Sequence, residues 1–512
     1  MQKILGKQLI HPWRVWGLVL LAGVALPFVL FGIASQYDVS LPGVFHDTRW
    51  LALLIGVPVL LLMVGYYYET ISTRPPVFWL YFFAVFWQVV TFISRWLINT
   101  VGLDLHLRML LILLLGIPLV IYVFRFGGEL LKRLPPIGFF LLFLSVVGFY
   151  YFFFNADVQD LSIYREGSWL QGNLSIEKII CFYFTLCELV ITPVCVWRHS
   201  DPYKLFDRLN FCLMTFVSLA SIVFLIGFPF HFFSVELDGF TRTEGFLGHP
   251  NLYSHQMGIY VVYLLGLFCY YQNENAHRMP RWFLYGAVGI NLIGFLIGFS
   301  KTGFIALGLA ALWVLGTNLA IPAVRRAFWS AGAVILLLLM AGIGAFEAIS
   351  GKRVLQIITD RINDPQSLNT RMGRWNMLLG SMDFSHLLTG HGHTAASAMI
   401  RLQNFNDLEG KPVLLVHNGY LELLYDYGIW GLTHFLVIIS IVISAYKKWF
   451  THKNMSNWAL YMTVIGLVIY YLIVMMCDEI LYMSYSSNLF WMLTILMLSL
   501  PKKTVQLQEI YA

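Results

Sequence analysis

Apolar stretches of roughly 16 to 22 residues recur along almost the whole chain, at 16–34, 50–68, 77–94, 109–124, 137–154, 179–197, 211–230, 256–271, 282–299, 303–321, 328–346, 431–446, 457–476 and 480–500. Each approaches the ~20 residues with which a helix crosses a bilayer. The runs are continuously apolar instead of alternating every second residue, so they predict about fourteen transmembrane helices and not a barrel. The first run is expected to remain as a span, because its apolar core is too long for a cleaved leader and no small-residue cleavage site follows. One polar segment stands out by length, from about 347 to 416. The chain therefore divides into 1–346 (helices with short loops), 347–430 (a large loop) and 431–512 (closing helices and a tail). Inside the loop, the spacing of Trp375, Met377, Leu378, Leu379, Met382, Leu387 and Leu388 predicts one short amphipathic helix lying on the membrane. Arg371 and Arg374 fall at or before its start.

Composition sharpens this to an all-α, polytopic membrane protein. With 59% hydrophobic and 12% charged residues over 512 positions, no single soluble core with a polar skin can be built. Charge then orients the spans. With the N-terminus (Lys3, Lys7, Arg14) placed in the cytoplasm, the inside connections hold nineteen basic residues and the short outside loops hold seven: Arg49, Arg95, Arg108, Arg165, Lys178, Arg242 and Lys301. Seven more lie in the large loop, which is long enough to escape the positive-inside rule. Both termini are expected in the cytoplasm of a bacterial inner membrane, with the polar segments of interest outside it. The net charge of +6 reads as inner-leaflet anchoring and argues against nucleic acid as a partner. Cytosolic nucleotides are then unlikely fuels, and energy must arrive within the substrate.

The six cysteines all fall within or at the ends of apolar runs and read as small buried hydrophobes. They form no zinc-type spacing, and neither metal nor cofactor is expected.

Four outside constellations carry candidate chemistry. In the first, from Thr241 to His255, Gly and Pro shape a turn in which Asn251 and Ser254 are candidate N-caps of the following helix. Such a helix start offers amide donors to an anion, with Arg242 beside it; the plainer reading pairs Arg242 with Glu244 or lipid phosphate. Glu236 and Asp238 are only a weak cation signal. The second is the hairpin Gly298-Phe299-Ser300-Lys301-Thr302-Gly303, whose lysine either snorkels or faces an anion. In the third, Arg371 and Arg374 suit lipid phosphate or a bidentate grip on a diphosphate, ahead of Gly390-His391-Gly392-His393. The fourth is His417-Asn418, nine residues, then Gly428-Ile429-Trp430-Gly431. A histidine at a helix start often only caps or packs, but at the end of the large outside loop it is placed to take a proton from a hydroxyl. Gly428 and Gly431 are expected to let the apolar helix that follows pack closely on a neighbour.

The arrangement Arg371-xxx-Trp375, then Gly390-x-Gly392, then His417-Asn418-x9-Gly428-x-x-Gly431 resembles the O-antigen ligase and polymerase superfamily of bacterial membrane glycosyltransferases. The likeness extends upstream to Arg242–Asn251 and Ser300–Thr302, and covers roughly residues 240–440. Lys301 departs from it, since arginine is commoner there in the family. The resemblance implies a helical fold of the GT-C type and transfer of a glycan from undecaprenyl diphosphate on the periplasmic face, with inversion. It implies His417 as general base, and Arg371, Arg242 and Lys301 as neutralising charges on the diphosphate. Arg374, Asn418 and Asn251 would orient the substrates, with Trp375, Gly428 and Gly431 in support. The acceptor would be lipid A-core for a ligase or a second carrier-linked glycan for a polymerase. A lipid-linked oligosaccharide flippase is the alternative of another class, disfavoured because the basic candidates gather at one face instead of the bilayer midplane.

Overall fold

The computed structural model describes most of residues 192–319, 366–402 and 416–501, with scattered positions between 321 and 347. In order the elements are α1 (Pro202–Gly227), β1 (Ser234–Leu237), β2 (Phe240–Thr243), α2 (Pro250–Asn273), α3 (Arg281–Gly298), α4 (Lys301–Asn318), α5 (Gln366–Gly380), α6 (Phe384–Thr389), α7 (Ala395–Leu402), α8 (Gly419–Tyr427), a 3-10 turn (Gly428–Trp430), α9 (Thr433–Thr451), α10 (Trp458–Met475) and α11 (Ser484–Ser499).

The membrane reading holds for the elements described. Pro202–Gly227, Pro250–Gln272 and Trp458–Met475 are each long and apolar enough to cross a membrane. A bent pair, α8 with its 3-10 turn followed by α9, would make a fourth span, its halves meeting at 99°. α3, α4, α9 and α11 overlie the expected runs 282–299, 303–321, 431–446 and 480–500. The expected spans 16–34 to 137–154, most of 179–197 and nearly all of 328–346 lie outside the described residues.

Local chemistry sets the helix starts. Asp201 accepts from the Lys204 amide at 2.9 Å with Pro202 next in line, and Ser300 accepts from the Gly303 amide at 3.2 Å, each satisfying an orphan first-turn donor. Between α3 and α4 the chain reverses in two residues, with Phe299 in the left-handed region at φ 54°. The core is built on α10, which packs against α2, α4, α9 and α11. Tyr470, Tyr471, Trp491, Tyr253, Tyr263 and Phe295 are among its fully buried side chains. Polar side chains join the helices where apolar contact alone gives no preference over lipid. Asn291 of α3 accepts from Ser221 at 2.9 Å and donates to Ser218 at 3.0 Å, both on α1. Tyr263 of α2 donates to Asn210 of α1 at 2.5 Å. On the outside of α9, Leu436, Ile439, Ile443, Tyr446 and Phe450 are exposed at three- and four-residue spacing, a stripe suited to lipid.

A second, smaller core lies in the large loop. Leu378, Ala396, Ile400, Val416, Leu421 and Tyr425 from α5, α7 and α8 pack together, with Trp375, Met377 and Met399 against them.

Three expectations are corrected here. The wholly α reading misses an antiparallel hairpin, with Ser234 opposite Thr243 and Leu237 opposite Phe240. The single amphipathic helix from Trp375 is two helices, because the Asp383 side chain caps a new start by accepting from the His386 amide at 2.8 Å. Arg371 and Arg374 consequently lie inside α5 instead of at a helix start. Finally, α2 begins at Pro250, so Asn251 and Ser254 are first-turn residues and not caps.

Candidate active site

Asn418 caps α8 by accepting from the amides of Tyr420 at 3.1 Å and Leu421 at 3.0 Å. That cap fixes the chain one residue after His417, whose own backbone sits at φ 55°. A non-glycine residue held there costs of order 1–3 kcal/mol and persists only where its surroundings over-determine it. The surroundings are visible. Trp375 of α5 donates its indole N–H to the carbonyl of Val416 at 3.0 Å, gripping the residue just before His417. One turn earlier on the same face of α5, Arg371 Nη1 donates to the carbonyl of Cys477 at 3.1 Å. The Arg-xxx-Trp spacing thus lets one helix clamp two segments 61 residues apart, the turn before α8 and the end of α10.

Where those segments meet stands Asp478. Its Oδ1 lies 3.0 Å from Nδ1 of His417 and its Oδ2 lies 2.7 Å from Nε2 of His255, which comes from the second turn of α2. The Asp478 and His255 side chains are 4% and 0% exposed, and that of His417 is 20% exposed. Burial by itself pushes the Asp478 carboxyl up, but hydrogen bonds and charge from His255 and His417 outweigh it and hold the carboxyl well below the usual carboxylate range. Asp478 is therefore an anion at neutral pH, with an imidazole N–H directed at each oxygen.

A second cluster adjoins the first through α2. Arg242 of β2 donates from Nε and Nη2 to the Gly298 carbonyl at 3.1 and 3.0 Å, and from Nη2 to Asn251 Oδ1 at 2.6 Å. The guanidinium is buried, and it ties the hairpin to the α3–α4 turn that carries Ser300 and Lys301. Glu244, its candidate partner from the sequence, lies outside the described residues. Asn251 and His255 are four residues apart on α2, so the basic turn and the carboxylate hub are linked by one helical turn.

Arg374 is buried on α5. Gly428 opens the 3-10 turn at the far end of α8 and Gly431 caps that turn, so neither lies within an apolar helix. Their close packing is real all the same. Gly428 has φ 60° and lies against the backbone of Leu388 and Gly390, while Gly431 lies against the Leu423 carbonyl, so α8, α6 and the turn can touch only without side chains there. Nearby, His386, His391 and Tyr425 stack in sequence, with ring centroids 3.8 and 4.3 Å apart.

Residues 286–436 match the family model described as O-Antigen ligase. Over that stretch the chain is similar to the O-antigen ligase family. No curated protein matches the chain. The matched stretch includes Lys301, Arg371, Trp375, His417 and Asn418, whereas Arg242, Asn251 and His255 precede it and Asp478 follows it. The two clusters thus draw on residues from both sides of the match. Asp478 and His255 were not singled out as site residues from the sequence. The available signal was Asp478 itself, a carboxylate directly after the apolar run 457–476.

Proposed function

We propose that the protein is a periplasmic-face membrane glycosyltransferase of the inner membrane, moving a glycan from undecaprenyl diphosphate to a hydroxyl of lipid A-core. The observation that carries this reading is the His417–Asp478 pair, seated at the end of the large loop of an O-antigen ligase domain and partly open to its surroundings. Asp478, accepting from Nδ1–H, sets the tautomer in which Nε2 carries the lone pair. His417 Nε2 takes the proton of the acceptor hydroxyl as its oxygen attacks the anomeric carbon. The bond from that carbon to the diphosphate oxygen breaks with inversion, and the bonding electrons leave on the diphosphate.

Charge grows on the leaving group, so fixed cations aimed there lower the barrier. Arg371 and Lys301 serve this role, with Arg242 adding its charge while holding the Lys301 turn in place. Arg374, Asn251 and Asn418 orient the partners, and Trp375, Gly428 and Gly431 maintain the loop. Because the carrier diphosphate is a good leaving group, neither nucleotide nor metal is required. The helical scaffold is read as GT-C in type, with about fourteen spans.

Polymerase chemistry differs only in the acceptor, and the family description favours the ligase. Purified protein supplied with an undecaprenyl-diphosphate glycan and lipid A-core, in parallel with a second portion of the carrier-linked glycan, tests the choice. Product on lipid A-core supports the ligase, and laddering on the carrier supports the polymerase instead.

A further inference from the structure

We propose that His255 is a positioning residue for the base, holding Asp478 in the orientation that fixes His417; the idea rests on the glycosyltransferase reading above. Three observations carry it. His255 is fully buried and lies 2.7 Å from the carboxylate oxygen that His417 does not use. It is contributed by α2, a helix outside the family match, so it adds a tether the loop does not supply. Its other ring nitrogen, Nδ1, is buried and has no hydrogen-bond partner among the described residues. A proton on Nδ1 would be an unsatisfied buried donor, so the ring hydrogen belongs on Nε2, pointing at Asp478. His255 thereby donates one bond that pins the carboxylate. The negative charge remains available to His417 when it takes up the acceptor's proton.

The charged and titratable surroundings agree with this division of labour. Asp478 and Tyr470 face His255 from α10 and its end, the Tyr470 hydroxyl lying 3.4 Å from the Ser254 carbonyl. His417 approaches from the turn before α8, Arg371 reaches only the neighbouring Cys477 carbonyl, and Arg242 of β2 sits on Asn251 one turn away. Of the other elements packed on α2, α1 carries Lys204, Asp207 and Arg208 near its start, where Asp207 accepts from Tyr271 at the far end of α2; α11 holds no charged residue, and α3 and α4 hold only their first residues, Arg281 and Lys301.

The test uses the full chain in nanodiscs with three substitutions. His255→Gln keeps an amide donor near the Nε2 position; His255→Asn places its amide near Nδ1, too short to reach; His255→Leu removes the donor. Two quantities are read: transfer from an undecaprenyl-diphosphate glycan to lipid A-core, and the pH dependence of His417 modification by diethyl pyrocarbonate, followed by mass spectrometry. Loss of one donor makes Asp478 a stronger acceptor toward His417 and leaves it free to rotate. The expected result for Asn and Leu is a fall in kcat of about 10- to 100-fold with KM within about twofold, and a His417 modification profile moved to higher pH. Gln restores both. Should Leu fail to fold, Asn carries the same comparison. Unchanged kcat in Asn and Leu, or equal losses in all three variants with an unmoved His417 profile, overturns the proposal. His417→Gln and wild type run alongside separate the two ideas: normal transfer by His417→Gln means that His417 is not the base and His255 has nothing to position, whereas no transfer by wild type means that the glycosyltransferase reading itself has failed.

Discussion

Replacing Asp478 by Asn changes one oxygen to an amide and asks the two imidazoles to choose. The carboxylate now accepts from both rings, at 2.7 Å from His255 and 3.0 Å from His417; an asparagine side chain can accept from one and must donate to the other. If the amide faces His255, the ring hydrogen of His255 moves to Nδ1, which is buried with no partner among the described residues, at a cost of about 1–3 kcal/mol. If it faces His417, whose side chain is 20% exposed, the ring hydrogen moves to Nε2 at little cost. The second arrangement wins, and it leaves His417 in the tautomer that cannot take a proton. The fold should lose about 1.5–3 kcal/mol, the worth of one hydrogen bond to a charged group. The reaction should lose the general-base contribution of about 10²–10⁴-fold in kcat, which is about 2.7–5.4 kcal/mol of barrier. Initial rates at saturating donor, with size-exclusion profiles to establish folding, measure this. A folded Asp478→Asn protein with kcat within about threefold of wild type would refute the assignment of Asp478 as the group that sets the His417 tautomer.

Further outcomes follow from the same geometry. Because the folded-state Asp478 carboxyl lies well below its ordinary value, its contribution to stability is present above pH ~4 and is lost only as pH falls through the depressed value; the apparent Tm difference between wild type and Asp478→Asn should stay constant from about pH 7 to 5, and a steady decline over that range would contradict it. Trp375→Phe keeps the ring packing but drops the bond to the Val416 carbonyl, so denaturation should show a loss of about 0.5–1.5 kcal/mol, with a larger proportional fall in kcat than in stability. Asn418→Ala removes the α8 cap and should cost about 1 kcal/mol, read by thermal unfolding in detergent. Gly428→Ala puts a Cβ against the Leu388 and Gly390 backbone at φ 60° and should destabilise by about 1–3 kcal/mol, with proteolysis of the large loop as the readout.

Much of this arrangement was legible in the chain, for physical reasons. Spans announce themselves because burial in lipid demands a continuous apolar run, and α1, α2 and α10 fall where such runs lie. His417-Asn418 was readable as a helix start because an Asn side chain is a good acceptor for first-turn amides, and Asn418 serves that way. The Arg371–Trp375 spacing stood out only through the family resemblance, and its targets, the Cys477 and Val416 carbonyls, are backbone groups that no residue pattern reveals. Asp478 stayed hidden because its partners are 61 and 223 residues away, and periodicity carries no information at that range. The β1–β2 hairpin was discernible in principle from Asp238-Gly239 between short β-favouring segments; those residues were weighed instead as a weak cation signal. The break between α5 and α6 turns on the Asp383 cap, a local signal outweighed by the apolar spacing across it.

The central claim is that this protein transfers a lipid-linked glycan with His417 as its base. It is tested most directly by incubating purified protein with an undecaprenyl-diphosphate glycan and lipid A-core, without nucleotide and with EDTA, comparing wild type with His417→Ala and Arg371→Ala. The account predicts glycan on lipid A-core with wild type, and its loss in both variants while each remains folded. Full transfer by folded His417→Ala would contradict the assignment of the base, and no transfer to lipid A-core by wild type, given matched substrates, would contradict the account as a whole and turn attention to transport of the carrier-linked glycan.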